Sequence, residues 1–114
     1  MSENYKNLIV WQKSMDLVIE IYRLTKLFPQ DEKFGLRSQM NRCIVSLPSN
    51  IAEGSRRKTS KDTEHFMVIA FASGAELETQ IEIVKRLQLV ENFDFSKIEG
   101  LLSEVMKMLN KMIY

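Results

Sequence analysis

The chain has 114 residues, 45% of them hydrophobic and 27% charged, with a formal net charge of +1. That is the size of one domain, with apolar content for one modest core, and it excludes a disordered chain and a polyanion binder acting by bulk charge. Four glycines and two prolines are too few for an all-β fold with many tight turns.

Four segments carry helical periodicity, separated by three short breaks. The first spans about residues 7–27, where Trp11, Met15, Val18, Tyr22 and Thr25 recur at three- and four-residue steps along one helix face. Phe28-Pro29 ends it, because the residue before a proline is pushed out of the α region. The second spans about residues 31–53. Asp31 and Glu32 suit a helix N-terminus, and Leu36, Met40, Cys43, Leu47 and Ile51 form the apolar stripe. Gly35, in its first turns, costs about 1 kcal/mol against alanine unless close packing uses the missing side chain. Pro48 removes the hydrogen bond to the carbonyl of Ile44 and predicts a kink. Gly54 reads as the left-handed residue that closes this helix.

The third helix has Thr59 or Ser60 as N-cap and Asp62 and Glu64 in its first turn, and it runs to about residue 89. Phe66, Ala70, Ser73, Leu77, Ile81 and Val84 make its inner stripe, continued by Leu87 or Gln88. The small residues from Ala70 to Ala75 mark the tightest helix crossing. The fourth opens on a capping-box pattern, Ser96 with Glu99, and shows Ile98, Leu101, Leu102, Val105, Met108, Leu109 and Met112 on one face. Long helices with short connections pack as antiparallel neighbours. The expected fold is all-α: a single up-down-up-down four-helix bundle over residues 1–114, with helix two kinked near Pro48.

Chemistry is sparse. A di-iron bundle needs a carboxylate from each of two helices and Glu-x-x-His from each of the others. The one histidine, His65, with Asp62 three residues before it, cannot supply that, so no metal and no cofactor is expected. Cys43 excludes an internal disulfide and fits a reducing compartment. On an apolar stripe it reads as a small buried hydrophobe with a raised pKa. There is no Gly-rich phosphate loop, and Glu76, Glu78 and Glu82 read as a solvated helix face. The chain is expected not to be an enzyme. No apolar run approaches the roughly 18 residues of a membrane span, and residues 1–6 lack the apolar core of a signal peptide, so a cytoplasmic location is expected.

Two polar patterns stand out. On helix two, Gln39, Arg42, Ser46, Asn50 and Glu53 form a mixed, short-armed stripe. Such a stripe suits side-chain hydrogen bonds across an oligomer interface; an ordinary solvated face has the same spacing. Beside it lie Arg56, Arg57 and Lys58, with Lys61 one turn on. They form either a small nucleic-acid-binding patch at a helix N-terminus or positive charge complementing the C-terminus of helix two. No aromatic residue is interleaved with these four. Charge is also unevenly spread: residues 1–58 hold ten Lys/Arg against six Asp/Glu (+4), and residues 59–114 hold six against nine (−3). Unless that split is chance, the halves offer surfaces that attract each other within or between chains.

Several of these residues form a familiar block. Trp11-Gln12-Lys13-Ser14-Met15-Asp16-Leu17, then Tyr22, then Phe28-Pro29-x-x-Glu32-x-Phe34-Gly35-Leu36-x-x-Gln39-x-x-Arg42, and Ser46-x-x-x-Asn50-Ile51-Ala52-Glu53-Gly54 resemble the four-helix bundle family of 23S rRNA intervening-sequence proteins. Those are bacterial proteins encoded within insertions in large-subunit ribosomal RNA genes. The accessory protein of diversity-generating retroelements is similar in fold. Ile69-Ala70 and residues 73–78 add weaker agreement. The resemblance implies a homopentamer, a barrel of bundles around a channel, with no known catalysis. For the retroelement accessory protein it implies binding to a reverse transcriptase and to nucleic acid through basic surface. Gln39, Arg42, Asn50, Glu53 and Arg56 match the family's polar positions. Cys43 stands where the family more often has alanine, Phe71 where a basic residue is frequent, and Ala72 where glycine is frequent. Two functions emerge as expectations: a homo-oligomeric scaffold closed head to tail, and an accessory module binding RNA or DNA by avidity through its basic turn.

Overall fold

A computed structural model describes residues 2–32 and 35–113 of the chain; Phe34 of the block above lies outside them. Four α-helices dominate: α1 (Ile9–Thr25), α2 (Leu36–Ser55), α3 (Ser60–Leu87) and α4 (Ser96–Ile113). Short 3-10 turns, Ser2–Asn7 and Gln30–Glu32, precede the first two. The helices form a bundle of 44 × 25 × 22 Å. α1 packs against α2 and α4, and α3 against α2 and α4; among the described residues neither diagonal pair touches. Lys13 pairs with Glu104 and Glu20 with Lys97, each at 3.3 Å, so α4 runs backwards along α1. Ser46 meets Ser73, and Gly54 lies against Phe66, so α3 runs backwards along α2.

The core is aliphatic. Leu17, Ile21 and Leu24 of α1, Met40, Ile44, Leu47 and Ile51 of α2, Met67, Ala70, Leu77 and Val84 of α3, and Ile98, Leu102, Val105 and Leu109 of α4 are all buried. The expected α2 and α4 stripes largely coincide with it. The α1 stripe does not. Met15 and Tyr22 are 38% and 40% exposed, and Trp11 and Val18 are half-buried. α1 is apolar around a wide arc, and the face carrying Leu17, Ile21 and Leu24 turns inward. Thr25 alone of the expected set is buried, and its hydroxyl donates to Asn41 Oδ1 at 2.8 Å. On α3 the expected Leu87 is 60% exposed: it has turned off the inner face that ends with Val84, while Leu89 and Val90 beyond it pack against the core.

The helix ends also differ from expectation. α2 begins at Leu36; Asp31 and Glu32 sit in a separate 3-10 turn, and Gly35 (φ −98°, ψ −115°) interrupts the helix. The connection from α1 is held by Arg37, whose Nε donates to the carbonyl of Thr25 (2.9 Å) and whose Nη2 donates to that of Phe28 (2.7 Å). α2 runs on through the buried Pro48. Gly54 is not a left-handed cap: no described glycine has positive φ, and Gly54 is a buried residue inside α2. Its missing side chain serves packing, because a Cβ there would lie 2.9 Å from Phe66 Cβ and 3.2 Å from the carbonyl oxygen of Thr63. Thr59 caps α3 by accepting from the Asp62 N–H at 3.1 Å. Gln88 (φ 52°) supplies the left-handed residue at its other end. The Ser96–Glu99 capping box is absent. Asp94 Oδ1 accepts the Ser96 N–H at 2.9 Å, and Glu99 instead pairs with Lys85 of α3.

Two glycines make opposite predictions. Gly54→Ala forces a Cβ against the root of Phe66, which cannot swing away without moving α3, so it should destabilise by about 1–3 kcal/mol despite alanine's better helix propensity. Gly100, inside α4, has nothing within 4 Å of where a Cβ would stand, so Gly100→Ala should stabilise by about 0.5–1 kcal/mol. Urea unfolding of both variants measures the pair; equal signs would contradict the packing described.

Candidate functional site

The polar stripe of α2 divides into a satisfied inner part and an open outer part. Ser46 is half-buried; its hydroxyl donates to the carbonyl of Cys43 at 2.7 Å and lies 2.6 Å from the hydroxyl of Ser73. Asn50, also half-buried, donates through Nδ2 to the Ser46 carbonyl at 2.8 Å. Ser46 thus serves the α2–α3 seam, and Asn50 bonds back along its own helix. Gln39, Arg42 and Glu53 are exposed. Glu53 pairs with Arg57 one turn on. Arg42 makes no hydrogen bond or ion pair with any described residue.

Cys43 lies in the same seam, buried, with Sγ donating to the Ser73 carbonyl at 3.1 Å. Burial, with the Glu76 carboxylate beside it, pushes the thiol from 9.0 up to about 12, which makes it a poor nucleophile. Glu76 accepts from Gln80 Nε2 at 3.3 Å. Gln80 Oε1 is buried without a partner. The apolar stripe of α2 points to the cysteine, but nothing in the sequence singles out Glu76 from the solvated face it shares with Glu78 and Glu82. Among the described residues no three His, Cys, Asp or Glu side chains gather to hold a metal ion. Among them, too, no helix is long and apolar enough to cross a membrane.

The basic turn has the aromatics that its own sequence lacks. The Arg56 guanidinium lies 5.5 Å from the ring centre of Tyr5, and that of Arg57 lies 4.6 Å from Phe66. Arginine on an aromatic face is held by cation–π attraction; Arg57 also gives an outer donor to Glu53. Lys58 and Lys61 are exposed. Tyr5 comes from the N-terminal turn and Phe66 from α3, so only the fold unites them. His65 is exposed and packs edge-on against Phe66 at 5.4 Å.

The thiol's raised pKa fixes a pH dependence. A neutral thiol is favoured in the folded state, so its contribution is complete below pH 9.0 and is lost as pH rises towards about 12. The stability difference between the wild type and Cys43→Ala should therefore shift towards the variant across that window. A chemical-denaturation series at constant ionic strength checks this. A difference that stays flat would overturn the account of the thiol.

No curated protein matches the sequence. Among solved structures, a protein of unknown function from the S23 ribosomal protein family of Bacteroides thetaiotaomicron matches with a TM-score of 0.83 at 24% identity, over 92% of this chain and 98% of that one. That likeness shows the fold. Residues 6–111 match the family described as 23S rRNA-intervening sequence protein. With the four-helix architecture in place and nearly the whole chain matched, this protein belongs to the 23S rRNA-intervening sequence protein family.

Proposed function

We propose that the chain is a non-enzymatic scaffold that works as a homo-oligomer, a pentamer as the family resemblance implies, with the outer edge of α2 at the contact between copies. The observation that carries this reading is Arg42: an exposed guanidinium in the middle of a helix, without an intramolecular partner among the described residues. It is flanked by Gln39 and, three turns on, by Glu53. A fork of fixed donors at the edge of a helix is the kind of group that pairs across an interface. The buried, protonated Cys43 accords with a role in association. Light scattering should give a mass near five times 13.3 kDa. Arg42→Ala should lower that mass at micromolar concentration, whereas Lys107→Ala should not. A wild-type monomer overturns the scaffold reading, and equal, negligible effects of the two variants remove Arg42 from it.

A second reading has its own support in the aromatic-backed arginines. Arg56 on Tyr5 and Arg57 on Phe66, with Lys58 and Lys61 exposed beside them, resemble the stacked cations of nucleic-acid surfaces. Repeated around an oligomer, a weak patch gains by avidity. RNA or DNA should bind at low salt and be released steeply as salt rises, and Lys58→Glu with Lys61→Glu should weaken binding further. Absence of binding at low salt excludes this reading and leaves the scaffold.

A further inference from the structure

The groove between α1 and α2 is lined by Trp11, Met15, Val18, Val45, Pro48 and Ala52. Its rim is open, with Met15 38% and Val45 44% exposed. These are large apolar groups left outside a core that Leu17, Ile21 and Leu24 already complete. On α3, Val68, Ala72, Ala75, Thr79 and Ile83 recur at steps of four, three, four and four, so they share one face, and all five are exposed. Between Val68 and Ile83 no charged residue falls on that stripe; Arg86, three residues on, continues it and is paired with Glu82.

The two surfaces differ in bulk and in charge. The groove presents Trp, Met and Val side chains, whereas the α3 face is built mainly of smaller ones, which lets a neighbour come close. Between Leu36 and Ile51 the charged residues of α2 are Arg37 and Arg42, both cations; between Phe66 and Val84 those of α3 are Glu76, Glu78 and Glu82, all acids, of which Glu82 is already paired with Arg86 at 3.1 Å. Arg37 is engaged with the carbonyls of the α1–α2 connection, which leaves the exposed Arg42, one turn before the groove residue Val45 on α2. The wider split of +4 in residues 1–58 against −3 in residues 59–114 has the same polarity. Among the described residues the backbones of α1 and α3 do not come close, and the groove and the outer α3 face lie on different sides of the bundle.

We propose that the α1–α2 groove receives the outer face of α3 from a second copy of this chain, with Arg42, one turn before Val45 on α2, meeting Glu76 and Glu78, the α3 acids not paired with Arg86. This rests on the homo-oligomer reading and gives it an apolar centre with a charged edge, the usual anatomy of a protein interface. Because the two patches differ, the contact is head to tail. Each copy then offers one used and one free surface until rotation closes a ring. A self-complementary contact through the same patch on both copies would stop at a dimer.

The test uses the full-length chain with one face blocked at a time. Met15→Asp spoils the groove, and Ala72→Arg spoils the α3 face. Both sites are solvent-facing, and matching circular dichroism and thermal melts establish that each variant folds; Val45→Asp serves as a second groove variant. Light scattering should show each variant alone at the mass of one 13.3 kDa chain. Mixed in equal amounts, the two should give a species of twice that mass, because each retains the surface the other has lost. If the wild type assembles and both variants assemble undiminished, the assignment of faces is overturned while the scaffold stands. If the variants are monomeric alone and remain so when mixed, the head-to-tail pairing is overturned. A monomeric wild type removes the scaffold and this inference together.

Discussion

The close approach of α2 to α3 is the constraint on which the rest of the structure depends. At one end it is enforced by Gly54, where the backbone of α2 lies against Phe66 and the Thr63 carbonyl, and Thr63 Oγ1 donates back to the Gly54 carbonyl at 2.9 Å. In the middle, the hydroxyls of Ser46 and Ser73 meet at 2.6 Å. Small or short side chains at these points fix both the separation and the rotation of the two helices. With that rotation set, Met40, Ile44, Leu47 and Ile51 face inward, Ser46 is taken up by the seam, and Arg42 is left outside.

Much of this is legible in the amino-acid order, for identifiable reasons. The 3.6-residue spacing of Ile98, Leu102, Val105 and Leu109 is unambiguous because polar residues fill the opposite face, and that of Met40, Cys43, Leu47 and Ile51 is legible although Val45 and Ala52 lie away from it. Thr59 before Asp62 is a local cap and reads as one. α1 misleads because it has two apolar stripes side by side. Periodicity selects both and cannot say which meets the other helices; only the outcome of packing does. Gly54 looks like a cap because a glycine near the end of a helical run ordinarily closes it, and the need for an absent Cβ arises from residues nine to thirteen positions later. Ser96 and Glu99 have the spacing of a capping box, yet Glu99 pairs with Lys85 and Asp94 accepts the backbone bond instead. The same limit applies to the basic turn, whose aromatic backing comes from Tyr5 and Phe66.

The surface divides by layer in a way that single residues do not reveal. Ion pairs among the described residues either stay within one turn of the chain or bind α4 to its neighbours: Lys13 with Glu104, Glu20 with Lys97, Lys85 with Glu99. The pairs between helices thus use charge at the α1–α4 and α3–α4 seams. The outer edge of α2 and the outer flank of α3 take no part in them, and there the remaining charge is of opposite sign. Exposed pairs of this kind add little to folding. Their value lies in orienting one body against another, since unlike charges favour one docking arrangement and like charges penalise the alternatives.

The connections between helices do not share one logic. From α2 to α3 the turn is locally self-sufficient: the Arg57 N–H reaches the Gly54 carbonyl and Thr59 caps the start of α3, all within a few residues. From α1 to α2 the carbonyls of Thr25 and Phe28 are bound by Arg37, a side chain in the first turn of the next helix. Leu27 and Phe28 make backbone bonds back to Leu24 and Thr25, but the reversal is also held from its far side, so it is complete only once α2 presents that guanidinium. A lysine at 37 would bring a single point charge to a place that needs a planar fork. It would slacken the joint at which the first two helices are set side by side, while the second hairpin kept its shape.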